Sequence, residues 1–375
     1  MSIYNEISEQ IERYADKITK SGLIGDKQDK FATENYQQLK EMKFFSAMTP
    51  EELGGGGVNY SQMCKLIKQI AQYHPSTALS ASMHQHIIAA NHFNYVHGKP
   101  GQAVLEKVIA NELVLVSTGA GDWLASNGTL TKTEGGFLFS ATKHFASGSP
   151  EGDVLVTSGP YEDPDLGWQV FHFPVPTSSK GVKVLDNWHP MGMKGTGSNS
   201  VEIDEVFIPE ASIALRRPRG DYHTVWCVVL PVALPLIMSV YVGIAETAAI
   251  RAKALCKELK DLTTPYLLGE MENALTTAQV VLQDMIANIG DFDFTPDMNT
   301  LNEVVKRKTI VANHCKQVVV KAIEACGGSG YLESFGIECL LRDVMASHFH
   351  PMQEKRQHLF SGYMAVEKTP PSAAF

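Results

Sequence analysis

The 375-residue sequence predicts an α+β fold with three parts: an N-terminal helical domain over 1–112, a middle β domain over 113–220, and a C-terminal domain over 221–375 resembling a four-helix bundle. Three observations predict it. Apolar residues recur at helical spacing from Ile3, Ile7, Ile11 and Ile18 onward, which gives a helix one buried stripe. Between Leu113 and Ile213 the texture changes to short β-branched or alternating runs, separated by Gly, Asp, Asn and Pro. From about Tyr222 to His348 helical spacing returns in long segments.

In the first part a four-glycine loop, "ELGGGGVNY", interrupts the helices, and Tyr60-Ser61 open a new amphipathic helix. In the second, "ELVLVS", "GGFLFSATK", "DVLVTSG", "WQVFHFPV", "GVKVLD" and "NSVEIDEVFIP" read as strands. In the third, the helices are "PLIMSVYVGIAETAAIRAKALCKEL", "MENALTTAQVVLQDMIANIG" and "NEVVKRKTIVANHCKQVVVKAIEACGG". A helical bundle split by an inserted sheet leaves interfaces in which a flat cofactor can lie.

A formal charge of −9, with the 32 Lys and Arg thinly spread, offers no basic stripe for a phosphate backbone, so no nucleic-acid partner is expected. The six cysteines are scattered without a CxxC pair, which suits a reducing cytoplasm. The most apolar segment, "VWCVVLPVALPLIMSVYVGIAETAAI", contains Pro231 and Pro235 and continues into "RAKALCKELKD", so a buried helix is expected and not a membrane span. The dinucleotide pattern GxGxxG opening a helix is missing: "GMKGTGSNS" runs into a strand and "TGAGDW" lies between strands, which argues against a nicotinamide enzyme.

Four motifs occur in order: "TGAGDW" (118–123), "KHFASGS" (143–149), "MGMKGTGSNSVEIDEVFIPE" (191–210) and "EACGGSGYLESFGIECLLRD" (324–343). With the helix, sheet, helix layout, the chain resembles the acyl-CoA dehydrogenase superfamily of flavoproteins along nearly its whole length. The resemblance implies a flavin-dependent oxidoreductase holding FAD, with FMN left open, in a homotetramer or dimer. Phe145, Ala146 and Ser147 match the family's Trp-Ile-Thr, whose aromatic covers the flavin ring and whose hydroxyl bonds its N5 edge. Thr118, Gly119, Ala120 and Gly121 match the loop that brings backbone amides to the pyrimidine edge, or form a plain turn. Gly327 and Gly328 match the glycine turn at the pyrophosphate, and also suit a helix cap with Gly327 left-handed.

The sequence departs from the family twice. Counted from Arg342-Asp343, the glutamate that takes the α-proton of an acyl thioester falls on Pro351, and the alternative position of some branches falls on Ala233. Glu354 and Glu246 are the nearest substitutes. The Arg-x-x-Phe-Gly that grips the adenosine diphosphate half of FAD is also missing where the chain reads "KALCKELKDLTT", which weakens the case for FAD and leaves FMN open.

Both departures resemble the branch that uses reduced flavin and oxygen, the dibenzothiophene monooxygenase type; the partner expected is a separate flavin reductase or electron acceptor. In that branch "SGS", "SMHQHI" and "SHFHP" would supply Ser147, His84, His86 and His350 to the reaction. Histidine suits acid/base work because its ordinary pKa lies near neutrality. His84 and His86 read equally as polar residues on a helix whose other face is core.

His348 and His350 have no Asp, Glu or Cys cluster at ligand spacing, so no metal is expected. The alternatives are an acyl-CoA desaturase with a substitute base, and a non-catalytic binding protein of the same fold. The substrate is a small molecule, with acyl-CoA as one candidate.

Overall fold

A computed structural model describes residues 2–118, 123–258 and 262–374. The N-terminal helices are α1 (Ile3–Arg13), α2 (Ala15–Lys27), α3 (Thr33–Glu41), α4 (Tyr60–Tyr73), α5 (Pro75–Val96) and α6 (Gln102–Asn111). Local chemistry sets the boundaries. Asn59 caps α4 in a reciprocal box with Gln62, while Pro75 occupies the first turn of α5, where its missing N–H costs nothing.

Eight strands follow: β1 (Leu115–Ser117), β2 (Thr129–Thr133), β3 (Gly136–Ala146), β4 (Val154–Asp163), β5 (Gly167–Pro176), β6 (Val182–Val184), β7 (Asn199–Pro209) and β8 (Leu215–Pro218). They form two four-stranded sheets, β1-β4-β5-β8 and β2-β3-β7-β6, antiparallel except for the β1–β4 pair. Their inner faces share a core that includes Phe139, Leu155, Phe171, Phe173 and Val201.

The sequence had suggested six of these strands. The two that escaped notice lie at sheet edges: "TLTKT" buries only Leu130, and in "LRRP" the buried residue is Arg217, a charge in the place of an apolar side chain. The register of β3 on β7 slips between Lys143 and Ala146, and this bulge coincides with a left-handed backbone at Phe145 (φ 57°).

The remaining helices are α7 (Trp226–Leu255), α8 (Thr263–Ala287), α9 (Met298–Cys326), α10 (Ile337–Val344) and α11 (Glu354–Ala365). By length and composition α7 is apolar enough to cross a membrane, but 94% of its most apolar window is buried inside the protein. It is the central helix, packed on α4, α5, α8 and α9. Pro231 and Pro235 interrupt its ladder, and within that stretch the Tyr60 hydroxyl donates to the Val232 carbonyl at 2.7 Å.

At the end of α9, Gly327 has φ 56° and ψ −140°, a glycine-only conformation but not the left-handed helical cap anticipated.

Candidate functional site

A cavity of about 260 Å³ opens between α5, α7 and the β1-β4-β5 face. Helix α5 contributes Met83, His86, Ile87, Ala90 and Asn91, one face at helical spacing, and α7 contributes Val229, Leu230, Ala233, Leu234 and Ile237. The sheet side supplies Thr118, Thr157, Ser158 and His172, Trp123 and Trp226 meet edge to face at 4.9 Å, and His350 with Pro351 closes one end. No Asp, Glu, Lys or Arg lines the cavity among the described residues.

The histidines expected at the site separate. Residues 84 and 86 lie about 200° apart around a helix, so only one can face the cavity. His86 does, and burial pushes its pKa down to about 4. His84 is 1% exposed, its Nε2–H donates to the Phe45 carbonyl at 2.8 Å and its Nδ1 accepts from Leu115 N–H at 2.9 Å. The catalytic expectation for His84 is therefore corrected: it ties the N-terminal helices to β1.

His84→Leu leaves a buried carbonyl and a buried amide unpaired at about 1–3 kcal/mol each, and should lower the urea midpoint accordingly. Specific activity per folded molecule should stay within about twofold. An unchanged midpoint would contradict the assignment.

His350 lies at the cavity, with Nε2 2.5 Å from the Tyr241 hydroxyl. Burial, with Lys308 nearby, pushes its pKa down to about 3. It is thus a neutral hydrogen-bonding group at neutral pH, which corrects the reading of a group titrating there. Its main chain is held by Lys308, 1% exposed, whose ammonium donates to the carbonyls of His350 (3.2 Å) and Met352 (3.3 Å). Burial lowers the pKa of that lysine to about 8.

His348 diverges from His350, its Nε2 lying 3.1 Å from the Lys316 ammonium, and Phe349 between them is exposed. No group of three metal-ligating side chains occurs among the described residues.

Neither substitute glutamate lines the cavity. Glu354, at the start of α11, is engaged by Asn313 and Lys355. Glu246 is held at 2.8 Å by each of Lys68, Gln72 and Gln279. Both are corrected as bases at this cavity. Ala233 and Pro351, by contrast, do line it.

The residues expected to hold a flat ring form a second cluster. Phe145 is 54% exposed at the β3 bulge, with Trp188 edge-on at 6.1 Å. The Ser147 hydroxyl begins a relay through Ser198 (2.7 Å) and Thr196 (2.7 Å) to the Met193 carbonyl (2.9 Å). Ala146 is fully buried in the sheet core, so its side chain is corrected as a cofactor contact and only its backbone is available.

Thr118 lines the cavity and donates to Thr157 at 2.7 Å. Gly119, Ala120 and Gly121 lie outside the described residues. Gly327 and Gly328 sit at an open turn, where an added Cβ would meet nothing within 4 Å, and neither lines the cavity.

Sequence reasoning missed the supports. Asp343 accepts from Met193 N–H at 2.5 Å, and Asp26 accepts from Gly195 N–H at 3.0 Å and pairs with His74 at 3.3 Å. The two carboxylates hold the loop that carries the hydroxyl relay between α2 and α10. Burial, with Asp26 nearby, raises the Asp343 pKa to about 7. It also missed Arg217, whose guanidinium bonds His172 and the carbonyls of Trp123 and Leu124.

Residues 4–112 match the family description "Acyl-CoA dehydrogenase, N-terminal domain" and residues 237–354 match "Acyl-CoA dehydrogenase, C-terminal domain". The putative acyl-CoA dehydrogenase YdbM of Bacillus subtilis (strain 168) is 25% identical over 371 residues, covering 93% of this chain and 94% of that protein. The dibenzothiophene monooxygenase of Rhodococcus qingshengii is 27% identical over 376 residues, covering 90% and 87%.

Among solved structures, KijD3 in complex with FMN and dTDP-3-amino-2,3,6-trideoxy-4-keto-3-methyl-D-glucose superposes with a TM-score of 0.89 at 21% identity, covering 100% of this chain and 97% of that one. FMN-bound TdsC from Paenibacillus sp. A11-2 gives 0.85 at 16% identity, covering 99% of each. Ordered motifs, the helix-sheet-helix architecture and matches at both ends agree: the chain belongs to the acyl-CoA dehydrogenase family of flavin-dependent oxidoreductases.

Proposed function

We propose that this protein is a monooxygenase that uses reduced flavin and molecular oxygen on a small uncharged substrate. One observation carries the reading. The two positions where family dehydrogenases keep a proton-abstracting glutamate, Ala233 and Pro351, both line the cavity, and no described lining residue is a carboxylate. Removing an α-proton from an acyl thioester needs a base within hydrogen-bond reach, and the described wall offers none. The likeness to a dibenzothiophene monooxygenase and to FMN-bound neighbours supports the same reading.

The exposed Phe145 ring beside the Ser147 relay fits a planar cofactor with a polar edge. When bound, a reduced flavin supplies the electrons that activate oxygen. Phe145 would cover its ring, Ser147 would bond its edge, and the aliphatic side chains of α5 and α7 would exclude water. His350, neutral and oriented by Tyr241, would supply a hydrogen bond at the cavity. FMN is favoured over FAD because the adenosine-diphosphate clamp is missing. A separate reductase delivers the electrons, and a neighbouring subunit completes the flavin site.

Two measurements test this. Mass spectrometry of flavin released from the purified protein should identify FMN. Anaerobic mixing of the oxidised, flavin-loaded protein with a panel of acyl-CoAs of different chain lengths should leave the flavin absorbance unchanged. Rapid bleaching by any of them would overturn the monooxygenase reading in favour of a desaturase.

A further inference from the structure

His172 is a β5 side chain that neither the family motifs nor the expected catalytic set includes, and it lines the cavity. Behind it lies Arg217 of β8, 1% exposed, whose Nε–H donates to His172 Nε2 at 3.0 Å. A guanidinium has no acceptor, so Nε2 must be the unprotonated nitrogen and the ring proton must sit on Nδ1. Burial and the adjacent Arg217 charge keep the imidazole neutral. Among the described residues nothing accepts from that Nδ1–H.

A second donor without an acceptor lies on the neighbouring ring, and this one is buried. The indole N–H of Trp226 is buried and has no acceptor among the described residues. The two rings meet edge to face, 6.2 Å between centroids. On the sheet side Thr118 donates to Thr157 and Ser158 is bonded by Ser126, while across the cavity on α5 the His86 Nδ1 is also buried without a partner. A buried donor without an acceptor is costly, so the Trp226 indole N–H, with the unpaired His172 Nδ1–H on the neighbouring ring, marks where a ligand atom belongs.

We propose that His172 is the specificity-determining residue of the cavity, presenting a fixed Nδ1–H that, with the Trp226 indole N–H, takes the carbonyl oxygen of an uncharged aromatic substrate. A carbonyl oxygen has two lone pairs and can accept from both donors. Aromatic character follows from the edge-to-face Trp123–Trp226 pair and the aliphatic faces of Leu230 and Ile237. No charged side chain lines the cavity among the described residues, so an ionised group there would be desolvated without a counter-charge. A volume of about 260 Å³ suits one or two rings. The assignment rests on the monooxygenase reading for its chemistry and on the cavity alone for its binding.

The test is a matched pair of probes, acetophenone and α-methylstyrene, in which C=O is replaced by C=CH2. Calorimetric titration of the purified protein, with and without FMN, should give about tenfold tighter binding of acetophenone. His172→Phe should reduce that preference to about twofold or less, with α-methylstyrene affinity within twofold of wild type. His172→Gln, which keeps a donor, should restore part of it.

Should His172→Phe fail to fold, Trp226→Phe should likewise reduce the wild-type preference. Equal affinity of wild type for the two probes, binding of neither, or a preference that survives His172→Phe would overturn the proposal. Failure of the flavin reading would show separately, as protein that takes up no FMN.

Discussion

His350→Ala is expected to lower kcat about a hundredfold or more with reduced FMN, oxygen and an accepted substrate, while KM changes by less than about threefold. Positioned acid/base or hydrogen-bonding groups contribute about 10² to 10⁴ in rate, and His350 is the one such group that the closing loop brings to the cavity. Its ring is oriented by Tyr241 and its backbone is pinned by Lys308, so little reorganisation is needed when oxygen chemistry begins.

Tyr241→Phe should cost about tenfold, because the imidazole remains but loses its fixed orientation. Steady-state oxygen consumption coupled to product formation measures both. If His350→Ala retained full coupled turnover, the loop would be structural only.

The second large effect is on stability at acid pH. His84, His86, His172 and His350 have folded pKa values of about 3, 4, 3 and 3, below the ordinary 6.5, chiefly through burial. Between pH 6.5 and 4 the unfolded chain protonates these rings and the folded chain does not. Their contribution is therefore present above about pH 6.5 and lost as the pH falls.

Asp343 works in the opposite sense. Its folded pKa of about 7 exceeds the ordinary 3.8, so its contribution is fully present below 3.8 and lost as the pH rises through 7. Four histidines outweigh one aspartate. Near pH 5 unfolding should take up about three protons, a slope of about 4 kcal/mol per pH unit against a total stability of about 5–15 kcal/mol. Urea midpoints between pH 8 and 5 should fall steeply below pH 6, and a slope of less than one proton would contradict the burial of these rings.

The helix-sheet-helix order was legible because it rests on periodicity, and the family match rests on motifs contiguous in sequence. What escaped notice depends on contacts across the chain. Edge strand β8 buries a charge that His172 and the carbonyls of Trp123 and Leu124 help make tolerable, and these three lie far from Arg217 in sequence. Asp343, 150 residues from the amide it holds, gives no local signal of its task.

His84 was misplaced for a different reason. Two histidines in "SMHQHI" look equivalent as a motif, although the helical period sets them on different faces. Pro351, by contrast, was located by counting from Arg342, and the cavity includes it.

The turns of α7 between Val229 and Ile237 contribute only apolar residues, whereas the polar groups arrive from the first residue of that helix, Trp226, and from α5, the sheet and the closing loop. Shape and chemistry are therefore inherited from separate stretches of chain. Enlarging or trimming Ala233, Leu234 or Ile237 would resize the chamber without disturbing a hydrogen bond to oxygen or to the ligand carbonyl. Such modularity gives selection a place to change diet while leaving the machinery intact.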